Sequence, residues 1–244
     1  MSALTTGIKE RVAAAVAFYW RSRQQQAKRQ RERGGSDQGA RAAVTAGYQM
    51  GGFAGLITHL LVEAGVSRTH IFYERALELP GFFRPTKEWD LLVVRDGQLI
   101  AALELKSQVG PSFGNNFNNR TEEAMGTALD LWTAYREGAF NRTVRPWLGY
   151  LFLLEDCDKS RSPVRTVEPH FSIFPEFRGA SYAERYELFC RKLVRERHYN
   201  AAAFLLSPRE EGQRGIFSEP ANDLAFALFA RSLVAHAAAY GAGD

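Results

Sequence analysis

An α/β fold with a mixed central sheet is what the sequence predicts, and three observations carry it. Apolar residues at helical spacing alternate along the chain with short strand-like runs. Two of those runs flank Asp96-Gly97, a dipeptide that suits a tight antiparallel hairpin. A later run, Trp147 to Leu154, is apolar without interruption, as in a strand covered on both faces.

Residues 8 to 31 read as one helix, apolar in its first half and strongly polar in its second, ending at Gly34-Gly35. Residues 34 to 47 read as a linker. A second helix, Gly52 to Ala64, spaces Phe53, Leu56, Ile57, Leu60 and Leu61 on one face and stops at Gly65. Strand-like segments follow at Ile71 to Leu77, Trp89 to Val94 and Leu99 to Ser107. Residues 108 to 120 are dominated by Gly, Pro, Ser, Asn and Phe and read as a loop. A helix from Thr121 to Glu137 comes next, with Asn119 and Glu122 at capping-box spacing. After the buried strand, Glu155 to His170 is polar and reads as a long loop. Helices at Ser181 to Arg197 and Ala221 to Tyr240 flank a short strand at Ala201 to Leu206.

The 244 residues are 45% hydrophobic and 24% charged, which excludes a disordered or collagen-like chain and suits one compact domain with a real core. The net charge of +4 is local: Arg21, Arg23, Lys28, Arg29, Arg31 and Arg33 crowd one segment against Glu32, and the remainder sums to −1. Such a segment reads either as an arm that meets an anion or as a solvated helix face. The longest apolar run, Val12 to Trp20, is nine residues, about half of the ~20 that cross a bilayer. No membrane partner is expected, and Glu10, Arg21 and Arg23 around that run argue for a cytoplasmic protein rather than a signal peptide. Cys157 and Cys190 are the only cysteines and lack zinc-like spacing, so both are expected reduced, Cys190 inside. The five histidines have no mutual spacing that suggests a metal site.

Chemistry concentrates where the hairpin ends. Glu104 and Lys106 lie two apart on a strand and so project from one face, while Leu103 and Leu105 point to the other. Asp90 opens the strand before. Two acids and an amine at a sheet edge suit a hard cation such as Mg²⁺, with the lysine beside the attacking water. They suit a cross-strand salt bridge equally, since Glu-x-Lys is common. Register decides whether the acids meet. A regular two-residue turn at Asp96-Gly97 pairs Arg95 with Gln98 and places Asp90 opposite Leu103, on the wrong face. An odd-length loop, or a bulge of the same parity, is therefore required if Asp90 is to join Glu104.

The runs Pro80-Gly81-Phe82-Phe83-Arg84-Pro85-Thr86-Lys87-Glu88-Trp89-Asp90, Glu104-Leu105-Lys106-Ser107 and Gly110-Pro111-Ser112-Phe113-Gly114-Asn115-Asn116-Phe117-Asn118-Asn119-Arg120 closely resemble the XhoI family of type II restriction endonucleases. The likeness continues through Trp147-Leu148-Gly149, Glu155-Asp156-Cys157, Pro169-His170-Phe171 and residues 186 to 192, and fades before about Ala43. It implies a PD-(D/E)xK restriction-endonuclease-like fold: an N-terminal helix, basic arm and linker over residues 1–42, and a nuclease domain over 43–244 with integrated DNA-recognition loops. It further implies Mg²⁺-dependent double-strand cleavage within the palindrome CTCGAG, leaving 5′ overhangs, and a cognate DNA methyltransferase as functional partner. Carried onto this chain, the catalytic set is Asp90, Glu104 and Lys106, and the metal ligands are Asp90, Glu104 and the Leu105 carbonyl. Two positions depart from the pattern: Trp89 stands where the superfamily has proline, and Gly51 where relatives carry an acid.

For double-stranded DNA, Asn pairs bidentately with adenine and Arg with guanine in the major groove, so Asn115, Asn116, Asn118 and Arg120 are candidate readers. Turn and capping roles compete for the same residue types. Lys159 and Arg161 in the later polar loop are further candidates, and Arg84 and Lys87, just ahead of Asp90, are candidate phosphate contacts. A palindrome has two-fold symmetry, so a homodimer with one site per strand is expected. The competing functions are a structure-selective repair nuclease on the same fold and a non-catalytic DNA-binding module. Discrete fragments from a long DNA separate the first, and Mg²⁺-dependent cleavage the second.

Overall fold

The computed structural model describes residues 7–32, 49–141 and 145–241. The proposed linker at 34–47 lies outside them. Helix α1 (Ile8–Glu32) packs on α2 (Gly51–Glu63), both close to the lengths their apolar spacing requires. Strand β1 (Ile71–Phe72) is short, and a two-stranded ribbon follows, β2 (Glu78–Pro80) with β3 (Thr86–Glu88). Then come β4 (Leu91–Arg95), β5 (Gln98–Gln108), α3 (Phe113–Arg136), β6 (Trp147–Glu155), the one-turn α4 (Asp158–Arg161), α5 (Tyr182–Arg195), β7 (Ala201–Ser207) and α6 (Phe226–Gly241).

The main sheet runs β1-β4-β5-β6-β7, with β4 antiparallel to its neighbours β1 and β5, and β5, β6 and β7 mutually parallel. This is the mixed α/β layer architecture the sequence predicts. Every residue of β6 is buried, as its unbroken apolar run requires. One face of the sheet carries Leu91, Val93, Leu103, Leu105, Leu151 and Leu205 against α1, α2 and α6. The other carries Leu92, Ala102, Tyr150, Phe152 and Phe204 against α3 and α5. Among the described residues both cysteines are free, Cys190 buried, and no helix is long and apolar enough to cross a membrane.

Four local expectations are corrected. The strand expected over 71–77 stops at Phe72, and the ribbon β2–β3 accounts for residues that had no strand assigned, 86 to 88 among them. Of the stretch 108–120 only residues 109–112 are loop; Gln108 ends β5 and from Phe113 it is helix, so the capping box at Asn119 and Glu122 does not form. Asn and Gly are weak helix formers, but Phe113 is buried against Tyr182, and Phe117, one turn on, meets Tyr186 and Phe189 edge-on. That aromatic stripe outweighs propensity differences of about 0.5–1 kcal/mol per residue. The loop after β6 contains the single turn α4, and α6 begins at Phe226 after a 3₁₀ turn at Asn222–Leu224 rather than at Ala221.

The basic segment is divided. Arg21 donates to the Gln213 carbonyl at 2.9 Å and Arg23 to Gln49 at 3.1 Å, which tie α1 to the body of the protein, while Lys28 and Arg29 are exposed.

A buried acid holds the turn between β2 and β3. Asp130 on α3 accepts from the Phe82 N–H at 2.7 Å, the Phe83 N–H at 2.9 Å and Arg84 Nε at 2.7 Å. Burial pushes its carboxyl up, but the Phe83 N–H, the Arg84 guanidinium and the Phe82 N–H outweigh that, and it titrates below the usual aspartate range. Asp130→Ala strands these donors, so a loss of about 2–3 kcal/mol is expected in urea unfolding at pH 7. A depressed folded pKa stabilises above the unfolded value of about 4 and ceases to do so as pH falls through the folded one. The gap between Asp130→Ala and wild type should therefore narrow below about pH 4. An unchanged gap at pH 3 would show that the charge is not what holds the turn.

Candidate active site

The hairpin β4–β5 closes through Asp96 and Gly97, whose φ angles of 50° and 71° belong to a two-residue turn that needs left-handed backbone at both positions. Val94 pairs with Leu99 and Arg95 with Gln98, but the next pair is Val93 with Ala101. Ile100 is the extra residue of a bulge. It turns into the apolar face beside Val93 and Ala101, and every later pair shifts by one. Leu91 consequently faces Leu103, and Asp90, one step beyond, lies across from Glu104 on the same side of the sheet. The bulge expected from parity is present, at a turn of the length that made it necessary.

Asp90 sits where β4 gives out. Its N–H donates to the Leu103 carbonyl at 3.2 Å, and its Oδ2 accepts from the Leu105 N–H at 2.8 Å and from Lys106 Nζ at 3.1 Å. A residue's N–H and C=O leave a strand on one edge, so the Leu105 carbonyl is aimed past the end of β4 into the same notch. Glu104 is only 1% exposed, beside Tyr150 of the neighbouring strand. Both its oxygens meet ammonium groups, Lys106 on one and Lys87 on the other, the latter at 2.5 Å. Burial opposes ionisation of Glu104, but Lys106 and Lys87 more than reverse this and hold its carboxyl low. Burial raises Asp90, with the Glu104 charge adding to the rise and Lys106 opposing it. Lys106 loses hydration, yet Glu104, Asp90 and Glu123, the last at 3.8 Å, keep it protonated far above the usual lysine range. It is a charged donor, not a resting base.

The four groups come from three elements: Lys87 from β3, Asp90 from the entry to β4, and Glu104 and Lys106 from β5. From α3 above them, Glu123 faces Lys106 and is paired with Arg120 at 2.6 Å. Glu123 carried no signal in the sequence, because only the packing of α3 on the sheet brings it there. The carboxylates and the aimed carbonyl form an all-oxygen donor set, which fits a hard cation such as Mg²⁺.

The remaining candidates are dispersed. Asn115, Asn116, Asn118 and Arg120 lie on the first turns of α3 rather than in a loop, with Asn115 and Asn118 exposed three apart on one face. Arg84 is held by Asp130 and by Thr127 at 3.2 Å. Arg161 is clamped by Asp156 through two bonds of 2.7 and 2.9 Å, and Lys159 is exposed on the same turn, α4. His170 is exposed.

The family model described as restriction endonuclease XhoI matches residues 29–219. Over 209 residues the chain is 54% identical to the type II restriction enzyme BstVI of Geobacillus stearothermophilus, spanning 84% of this chain and 93% of that one. It is 49% identical over 181 residues to the type II restriction enzyme XhoI of Xanthomonas vasicola, 73% of this chain and 72% of the other. It is 52% identical over 158 residues to the type II restriction enzyme AbrI of Azospirillum brasilense, 64% and 71% of the two chains. No solved structure matches it. A five-stranded mixed sheet with Asp90, Glu104 and Lys106 gathered at the end of its hairpin, together with a family match over most of its length, makes this chain a member of the XhoI family of type II restriction endonucleases.

Proposed function

We propose that the protein cuts both strands of DNA by Mg²⁺-dependent phosphodiester hydrolysis within the palindrome CTCGAG, leaving 5′ overhangs. The observation that carries the reading is the bulge at Ile100, which brings Asp90 across from Glu104 with Lys106 in contact with both. A strand pair built only for a salt bridge has no need to spend a buried irregularity on aligning two acids. Asp90, Glu104 and the Leu105 carbonyl would hold Mg²⁺, which when bound supplies Lewis acidity and lowers the pKa of water. Lys106, already protonated, orients the attacking water and offsets charge growing on the phosphate.

The base-reading surface is Asn115 and Asn118, exposed on the first turns of α3, with the half-buried Asn116 and Arg120 beside them, an Asn suiting adenine and Arg120 suiting guanine once Glu123 releases it. Lys159 contributes a phosphate contact, and Arg84 and Arg161 join it if DNA draws them from Asp130 and Asp156. The protein works as a homodimer whose two-fold axis coincides with that of the site, and a methyltransferase protects the same sequence in the host.

Digestion of a sequenced plasmid with Mg²⁺, followed by sequencing of the ends, tests this. Discrete fragments ending within CTCGAG with 5′ extensions are expected, and none when EDTA is present. Fragmentation at junctions or ends without a fixed sequence would favour a structure-selective nuclease, and intact DNA bound by the protein would leave only a binding module.

A further inference from the structure

Lys87 stands out because it occupies an oxygen that the metal would need. Glu104 is buried, and among the described residues no backbone or hydroxyl donor reaches either of its oxygens; the two ammonium groups are what compensates it. Lys106 has further carboxylate neighbours, Asp90 at 3.1 Å and Glu123 at 3.8 Å. Among the described residues Lys87 has Glu104 alone as its acid, with the Glu88 carbonyl and the Trp89 ring, 5.2 Å away, beside it. Its side chain is 14% exposed, much as that of Lys106 at 16%, so exposure does not separate the two and their partners do.

The supports of the two lysines differ as well. Lys106 is fixed on β5 inside the main sheet, where the strand is paired with β6 from Ala101 to Gln108 and with β4 as far as Leu103. Lys87 is on the β2–β3 ribbon, whose ladder is separate from the main sheet. Asp90 and Glu104 together balance Lys87 and Lys106, so the cluster is neutral as it stands. A divalent cation placed against Glu104 would leave it at +2 unless one ammonium withdraws, and like charges a few ångströms apart in a poorly hydrated site repel strongly. Lys87, with one acid against three for Lys106, is the group that yields. A phosphodiester at the mouth of the site would receive it.

We propose that Lys87 is a place-holding counterion for Glu104 that must leave before metal binds, and that a DNA phosphate, by capturing it, couples metal loading to DNA binding. This rests on the metal-dependent nuclease reading above. Its consequence is an enzyme that binds cation poorly without DNA and well with it.

Calorimetric titration of the homodimer with Ca²⁺, a hard cation of the right donor preference, is the test. Lys87→Met keeps the stem and deletes the charge; Lys87→Arg keeps the charge. Without DNA, Lys87→Met should bind Ca²⁺ at least ~10-fold more tightly than wild type, and Lys87→Arg within ~3-fold of it. Adding a duplex containing CTCGAG should tighten Ca²⁺ binding at least ~10-fold in wild type and less than ~3-fold in Lys87→Met. Thermal melts of both variants show that they are folded, and Lys87→Gln serves if Met is not tolerated. Equal DNA-free affinities in wild type and folded Lys87→Met, with Glu104→Gln abolishing binding in both, would overturn the place-holder and leave the metal site standing. Ca²⁺ binding that is indifferent to Glu104→Gln, with and without DNA, would overturn the metal site itself.

Discussion

Glu104→Gln and Asp90→Asn should each reduce plasmid cleavage at least ~10³-fold, equivalent to about 4 kcal/mol of transition-state stabilisation. Each replaces a charged oxygen donor by a neutral amide of the same shape, so the loss reports on charge and not on a cavity. The two variants should differ in everything else. Asp90 lies at the open end of β4 and bonds mainly through one oxygen, so Asp90→Asn should melt near wild type. Among the described residues Glu104 is the sole acid of Lys87 and a main partner of Lys106, so Glu104→Gln leaves the partly buried Lys87 without an acid and Lys106 with only Asp90 and Glu123. A destabilisation of about 3 kcal/mol is expected there, and adding Lys87→Met should return part of it. DNA affinity of Glu104→Gln, measured with EDTA, should hold or rise, since both ammoniums are freed toward phosphate. Cleavage within ~10-fold of wild type in either variant would dismiss these carboxylates as metal ligands.

Lys106→Met should cost ~10²–10³-fold in the single-turnover cleavage rate at saturating DNA, the range for losing one charged donor aimed at a reacting group. Lys106→Arg should recover little, because a planar guanidinium cannot occupy the compact position between Asp90 and Glu104 that the ammonium fills. Binding of uncut DNA should change by less than ~10-fold, which separates a chemical role from a role in affinity. With Lys106 gone, Asp90 and Glu104 face each other as like charges, so the variant should hold a divalent cation more tightly while cutting more slowly. A Lys106→Met protein that cuts within ~3-fold of wild type would remove the lysine from the chemistry.

Much of this site is legible along the chain, because the rules behind it act over a few residues. The two-residue period of a strand places Glu104 and Lys106 on one face and Leu103 and Leu105 on the other without reference to any partner. The turn chemistry of Asp96-Gly97 sets loop length, and loop length together with parity demands an irregularity if Asp90 is to join them; Ile100 supplies it. Strands β6 and β7 follow from unbroken apolar runs, and α1, α2 and α5 from spacing and breakers.

The start of α3 is different. Asn and Gly at 114–119 argue locally for a loop, and the residues that overrule them, Tyr182, Tyr186 and Phe189, lie about 70 positions away on α5. Lys87 is the clearest case. In the sequence it is one cation among several near Asp90, as eligible for phosphate as Arg84. Only the fold decides that Arg84 turns to Asp130 on α3 while Lys87 turns inward to Glu104. The reason is physical: composition and periodicity fix which edge or face a side chain leaves from, but the partner of a charge is whichever opposite charge the packed layers bring within about 4 Å. For Glu104, buried beside Tyr150, that includes a lysine from a ribbon outside the main sheet.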